Sequence, residues 1–247
     1  RAMDDWSAST SAGALRRSVE VICERAPDDA RDLRAAIEAT RPDAVIVDLL
    51  AWGALGAAEA WGGPWAAYCP FPLPLPSATA PPSGPGLRPA RGPAGRVRDR
   101  IVARLAAAGF ARIAAEPLAL VRSDLGLPPL RTAADLFARP PLHLYMSAEP
   151  FEYRRPDWPE SVVMVGPCSW EPEGELPPEL VDLDEPLVLV TTSSEFQDDG
   201  RLVEVALEAL AAEPVHVVAT VPAGTTVSGV GARATVLPFA PHSPILA

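Results

Sequence analysis

The chain has 247 residues, 48% of them hydrophobic and 21% charged, which is enough apolar material for one large core or two modest ones. A formal net charge of −11 sets the molecule against phosphate backbones and anionic membrane surfaces, so nucleic acid is excluded as a natural partner. Arginine supplies every basic side chain, and Cys23, Cys69 and Cys168 lie far apart with no Cys-x-x-Cys; this argues against a disulfide framework or a zinc site and for free thiols in a reducing cytoplasm.

Apolar residues at Leu15, Val19 and Ile22, then at Leu33 and Ile37, predict two amphipathic helices. The run Pro42-Asp43-Ala44-Val45-Ile46-Val47-Asp48 follows, apolar without alternation, which predicts a parallel strand buried on both faces with an acid at its tip. A helix through Leu55, Ala58 and Gly62 and a strand from Trp65 to Cys69 complete a βαβ unit. Prolines and glycines between Pro70 and Pro93 predict a long semi-rigid loop. Helical spacing returns at Val97, Ile101 and Leu105 and runs toward Val121, with a kink or break expected at Pro117. Arg88, Arg91, Arg96, Arg98, Arg100 and Arg104 cluster here and read as a solvated face.

Short strands are predicted at about 142–146 and 161–165, and residues 167–186, crowded with acids and prolines, read as a linker. A second α/β pattern comprises a strand from Leu187 to Thr192, a helix from Gly200 to Ala212, and strands from Val215 to Thr220 and Ala234 to Phe239. Residues 1–166 therefore form a first domain and 187–247 a second, marginal in size by itself. No run reaches the length of a membrane span, and no charged start followed by an apolar core marks a signal peptide. The chain lacks an initiating Met, and both ends read as interior to a longer domain pair.

Three places concentrate chemistry. Asp48 stands where open parallel sheets hold ligands, although an acid after a strand also serves as a helix cap. Thr191-Thr192-Ser193-Ser194-Glu195-Phe196 puts small hydroxyl residues at a strand end, where backbone and side chains can approach a phosphate, and Asp198 and Asp199 read as caps for the next helix. Leu237-Pro238-Phe239-Ala240-Pro241-His242 offers an aromatic face, which can stack on any base or simply close a core. Trp52, Trp61, Trp65 and Phe71 would line or support an apolar pocket, with Trp52 and Phe71 favoured because they follow strand ends. Hydrolase elbows, Walker loops and dinucleotide glycine patterns are missing.

These three blocks resemble those of bacterial antibiotic glycosyltransferases of the GT-B fold, the macrolide and enediyne type related to UDP-glucuronosyltransferases, over about residues 35–247. The resemblance implies an α/β architecture of two Rossmann-like doubly wound domains, acceptor-binding then nucleotide-sugar-binding, with the start of the first and part of the second outside this chain. It implies an inverting transfer from a TDP or UDP sugar to a hydroxyl of a small hydrophobic acceptor, without metal or separate cofactor, in a cytoplasmic enzyme of secondary metabolism compatible with a homodimer. In it Asp48 would hold a catalytic histidine that lies before Arg1, Ser193 and Ser194 would lie by the diphosphate, Phe239 would stack on the base, and His242 would stand near the ribose. The family's His-Gly-Gly loop would begin after Ala247, so the chain alone is expected to be inactive. A sugar-nucleotide epimerase and a non-catalytic partner protein of the same fold are the alternatives.

Overall fold

A computed structural model describes residues 7–167, 170–192 and 200–247. The chain falls into two compact units, residues 1–168 and 169–247, each built on its own parallel sheet. The first runs α1 (Ser11–Thr40), β1 (Val45–Asp48), α2 (Trp52–Trp61), β2 (Trp65–Cys69), α3 (Pro93–Asp124), a 3₁₀ turn (Ala133–Ala138), β3 (His143–Tyr145) and β4 (Val162–Met164). Its strands are ordered β1-β2-β3-β4, every pair parallel.

The two helices expected before β1 are one. Thr10 caps α1, its Oγ1 accepting from the Gly13 amide at 3.1 Å, and the helix continues through Pro27 to Arg41, which closes it in the left-handed region at φ 48°. Proline removes one intrahelical bond, but α1 gains tertiary cover at that turn: Ala26 and Ala30 are buried against Ala57 and Val121. The backbones approach so closely that a Cβ on Gly53 would lie 1.6 Å from the Ala26 carbonyl oxygen. Nor does α3 end at Pro117: the helix is continuous across it and buries Leu118 and Val121 beyond it. Among the described residues, no helix is long and apolar enough to cross a membrane.

β1 departs from expectation. Val45 and Val47 pack under the helices with Ala67, Cys69 and Tyr145, but Ile46 is 66% exposed and Asp48 is exposed too. The register places Asp48, Tyr68, Leu144 and Val163 across from one another on this second face. Helices α1 to α3 thus cover one face of the sheet, and the unbroken apolar run in β1 reflects a second face that they leave open.

Glu59 on α2 fastens the helical layer. Its carboxylate accepts from Arg122 of α3, 2.7 Å away and only 3% exposed, and from Arg139 after the 3₁₀ turn. Burial alone would raise the Glu59 carboxyl, but the hydrogen bonds and charges of Arg122 and Arg139 outweigh it and hold it below its ordinary value of 4.5.

The second unit comprises a 3₁₀ turn (Pro178–Leu180), β5 (Leu187–Thr191), α4 (Gly200–Leu210), β6 (His216–Thr220), β7 (Ala234–Leu237) and α5 (His242–Leu246), with parallel order β5-β6-β7. Val203 and Leu207 of α4 pack on Val217, Ala219 and Val221. The stretch read as a linker belongs to this unit: Leu180 is 1% exposed and packs with Val218, Ala240 and Ile245 on the opposite side of the sheet. Its prolines and acids mask an apolar anchor every few residues, at Leu176, Leu180 and Leu183.

Two outcomes follow for stability. Gly53→Ala forces α1 and α2 apart and lowers the unfolding free energy by about 1–3 kcal/mol in denaturant titration. Glu59→Gln leaves Arg122 buried without its counter-charge and costs about 3 kcal/mol at neutral pH. Because the folded carboxyl titrates below its unfolded value, this contribution is present above pH 4.5 and is lost as pH falls through the lower folded value, so the variant's melting temperature declines less steeply with acid than that of the parent.

Candidate functional site

In the first unit the chemistry gathers at the carboxyl ends of β1, β2 and β3, the end of a parallel sheet where ligands bind. Asp48 ends β1. Its Oδ1 accepts from the Leu50 amide at 2.7 Å, a local turn that directs the chain away from the sheet, while Oδ2 has no partner among the described residues. Asp48 does not cap α2, whose N-cap is Ala51 without a side-chain bond. One oxygen anchored and the other open to solvent make a carboxylate that can receive an N–H from outside.

Next to it, β2 ends in Cys69 and gives way to the proline-rich loop. A cavity of about 370 Å³ opens here, walled on one side by Pro70, Phe71, Pro82 and Leu87 and on the other by residues following β3. A larger cavity, about 480 Å³, lies among the C-terminal ends of α1 and α2 and the turn after α3, around Ile37, Trp61 and Leu125, at the amino end of the sheet. Parallel sheets do not place their ligands at that end, so the smaller cavity is the functional candidate.

Its far wall rests on a buried polar cluster. Tyr145 at the end of β3 donates to Glu152 Oε2 at 2.5 Å, and the Tyr153 amide donates to Glu152 Oε1 at 2.7 Å. Arg155 reaches both carboxylate oxygens at 3.3 Å and donates to the Leu75 carbonyl at 3.2 Å, with its guanidinium 4.4 Å from the centre of the Trp158 ring. Burial, reinforced by the adjacent carboxylate, pushes the Tyr145 phenol up to about 12. Nearby, exposed Asp157 accepts from the Ala78 amide at 2.6 Å and the Ser77 hydroxyl at 2.9 Å, and these bonds hold its carboxyl below the ordinary range. Arg155 and Asp157 thereby tie the proline-rich loop to the turn after β3, which gives a loop without regular structure a defined place.

The sequence-derived candidates separate accordingly. Phe71 lines the cavity. Trp52 does not: it is 3% exposed, set edge-on against Phe110 at 5.3 Å and Phe137 at 6.0 Å, because the inward face of α2 carries it into the core. Trp61 and Trp65 also pack against the core. Cys23 and Cys69 are buried free thiols, each pushed up to about 11 by burial first of all. His143 is fully buried on β3, its Nε2 at 2.9 Å from the Phe137 carbonyl and its titration pushed down by burial.

In the second unit, Thr191 and Thr220 join at the carboxyl ends of β5 and β6 through a 2.9 Å hydroxyl bond. Phe239, just past β7, is 61% exposed. His242 begins α5, and the amides of His242 and Ser243 are taken by the Glu171 carboxylate at 2.7 and 3.0 Å. Ser193, Ser194, Asp198 and Asp199 lie outside the described residues. Among the described residues no group of three or more His, Cys, Asp or Glu side chains could hold a metal ion.

The sequence reading missed the Tyr145–Glu152–Arg155 cluster and Phe151 on the same turn. Its signal was slight: Glu152 and Arg155 read as an ordinary polar stretch, and only the pairing of β3 with β2 brings them beside Leu75.

Two parallel sheets with their helices give an α/β architecture, and solved glycosyltransferases of the GT-B fold share it. The chain is homologous to the 4′-demethylrebeccamycin synthase of Lentzea aerocolonigenes, with 33% identity over 233 residues, 92% of this chain and 55% of that protein. It matches the solved glycosyltransferase of kitacinnamycin with a TM-score of 0.62 at 20% identity, over 97% of this chain and 58% of that one. It also matches the spinosyn rhamnosyltransferase SpnG, at a TM-score of 0.57 and 15% identity over 93% and 52% of the two chains; SpnG has also been solved with thymidine diphosphate. The chain spans about half the length of the relatives it matches. No protein-family model matches it.

Alkaline spectrophotometric titration checks the buried cluster. One of the chain's three tyrosines, Tyr145, should ionise only near 12, and Tyr145→Phe should abolish that late step.

Proposed function

We propose that this chain is part of an inverting glycosyltransferase that moves a sugar from a TDP or UDP sugar to a hydroxyl of a hydrophobic natural-product acceptor. The homology to 4′-demethylrebeccamycin synthase supports sugar transfer, and SpnG with thymidine diphosphate supports a nucleotide-linked donor. The first unit takes the acceptor in the cavity beside Phe71; the second takes the nucleotide sugar, with Phe239 against the base, His242 near the ribose, and Ser193 and Ser194 by the diphosphate.

Asp48 carries the reading. Its free oxygen is suited to accept from an imidazole N–H, fixing the tautomer whose other nitrogen removes the acceptor's proton, and stabilising the imidazolium as it forms. The acceptor oxygen then bonds to the anomeric carbon as the carbon–oxygen bond to the diphosphate breaks, and the diphosphate departs with the electron pair. Hydroxyls and amides stabilise that developing charge. None of the chain's own histidines is assigned the role of base: His143 is sealed in the core, His216 is bonded to Thr235 at 2.9 Å, and His242 is assigned to the ribose. The chain by itself is therefore expected to be inactive.

The test uses the complete product of the gene that carries this sequence. Asp48→Asn should lower kcat about a hundredfold or more, with TDP affinity unchanged. An unchanged kcat sinks the role of Asp48, and failure of both TDP and UDP to raise the melting temperature sinks the donor assignment.

A further inference from the structure

β7 ends at Leu237 and α5 starts at His242, and Pro238-Phe239-Ala240-Pro241 form the crossing between them. The two prolines supply no backbone N–H, and Pro241, the N-cap of α5, has no side chain that can cap a helix. The first amides of α5 therefore need an acceptor from elsewhere. Glu171, seventy-one residues before His242, supplies it. Its Oε2 accepts from the His242 amide at 2.7 Å and its Oε1 from the Ser243 amide at 3.0 Å. Hydrogen bonding from the Ser243 side chain, then from the two amides, holds the Glu171 carboxyl below its ordinary value of 4.5.

Two further contacts fix the same crossing. Ala240 is 2% exposed and packs with Leu180, Val218 and Ile245. Gly174 lies so close to Pro241 that a Cβ added there would come within 2.9 Å of the proline Cγ. The chain is thus anchored at Ala240, Pro241 and His242, while the ring of Phe239 beside them stays exposed. A ring carried on a fixed backbone loses little freedom when a partner stacks on it, and such preorganisation raises affinity. Both Glu171 and Gly174 lie in the stretch whose acids and prolines read as a linker, and both belong to the second unit.

Resting on the sugar-transfer reading above, we infer that Glu171 is a positioning residue for the nucleotide: through the backbone of His242 and Ser243 it holds the Phe239–His242 segment in the shape that receives the base and ribose. Its two oxygens are spent on those amides, so it acts on donor affinity through the segment and has no part in the proton transfer at Asp48.

The experiment uses the complete gene product, titrated calorimetrically with TDP and with UDP at neutral pH, and amide hydrogen exchange of residues 239–243 in the absence of nucleotide. Glu171→Ala should weaken binding of the preferred nucleotide about tenfold or more, because two charge-assisted bonds are lost, and should speed exchange across that segment. In the transfer reaction the same variant should raise KM for the sugar nucleotide about tenfold at unchanged kcat. Glu171→Gln, which keeps an acceptor of the same reach, should fall between parent and Glu171→Ala, and it guards the comparison against loss of the fold. Parental nucleotide affinity in Glu171→Ala, unchanged exchange at 239–243, or a lowered kcat at unchanged KM each overturns the inference. Failure of the parent to bind either nucleotide defeats the donor reading itself, whereas a parent that binds and variants that bind equally well defeat only the role of Glu171.

Discussion

The Glu152 carboxylate lies beneath a turn that has no regular structure of its own, and it collects donors from three directions: the side chain ending β3, the backbone of Tyr153, and the guanidinium of Arg155. A carboxylate this buried persists because its lone pairs are taken and its charge is balanced. Arg155, held there, reaches across to the Leu75 carbonyl, and Asp157 fastens Ser77 and Ala78. The proline-rich loop therefore stands as a wall, and the carboxyl end of the sheet becomes concave. Phe71, Phe151 and the cavity depend on that one arrangement.

The helical side of the same unit follows similar logic. Glu59 joins α2 to α3 and to the segment after the 3₁₀ turn, again by a buried acid held between two arginines. The charge of the chain is divided unevenly. Residues 169–247 contain thirteen acids and two arginines, whereas the rest of the chain contains nineteen of each. The overall value of −11 thus belongs to the second unit. The first unit is balanced, and several of its ions serve as internal fasteners.

Much of the architecture was legible before any coordinates. Val45–Asp48, Trp65–Cys69, Leu187–Thr191 and His216–Thr220 are strands within a residue or two of expectation, because buried parallel strands are short apolar runs closed by turn formers. The division of α1 into two helices and the break at Pro117 were misjudged for a common reason. Proline penalises a helix locally, and burial of Ala26, Ala30, Leu118 and Val121 against neighbours outweighs that penalty, a tertiary gain that a window of sequence does not contain. Trp52 was misplaced because a residue just past a strand end can face the ligand or the core, and here helical phase turned it toward Phe110 and Phe137.

From its residues alone the chain declared parallel α/β organisation, an acid at the end of β1, and a loop without regular structure after β2, all of which depend on local pattern: apolar runs, their punctuation, and proline's fixed torsion. Tertiary structure decided which face of the sheet the helices cover, that Phe71 rather than Trp52 borders the cavity, and that the Tyr145–Glu152–Arg155 cluster meets the proline-rich loop. Those outcomes turn on contacts between segments some eighty residues apart, such as Arg155 with Leu75. The energy of such a contact exists only once both segments are folded onto the same sheet.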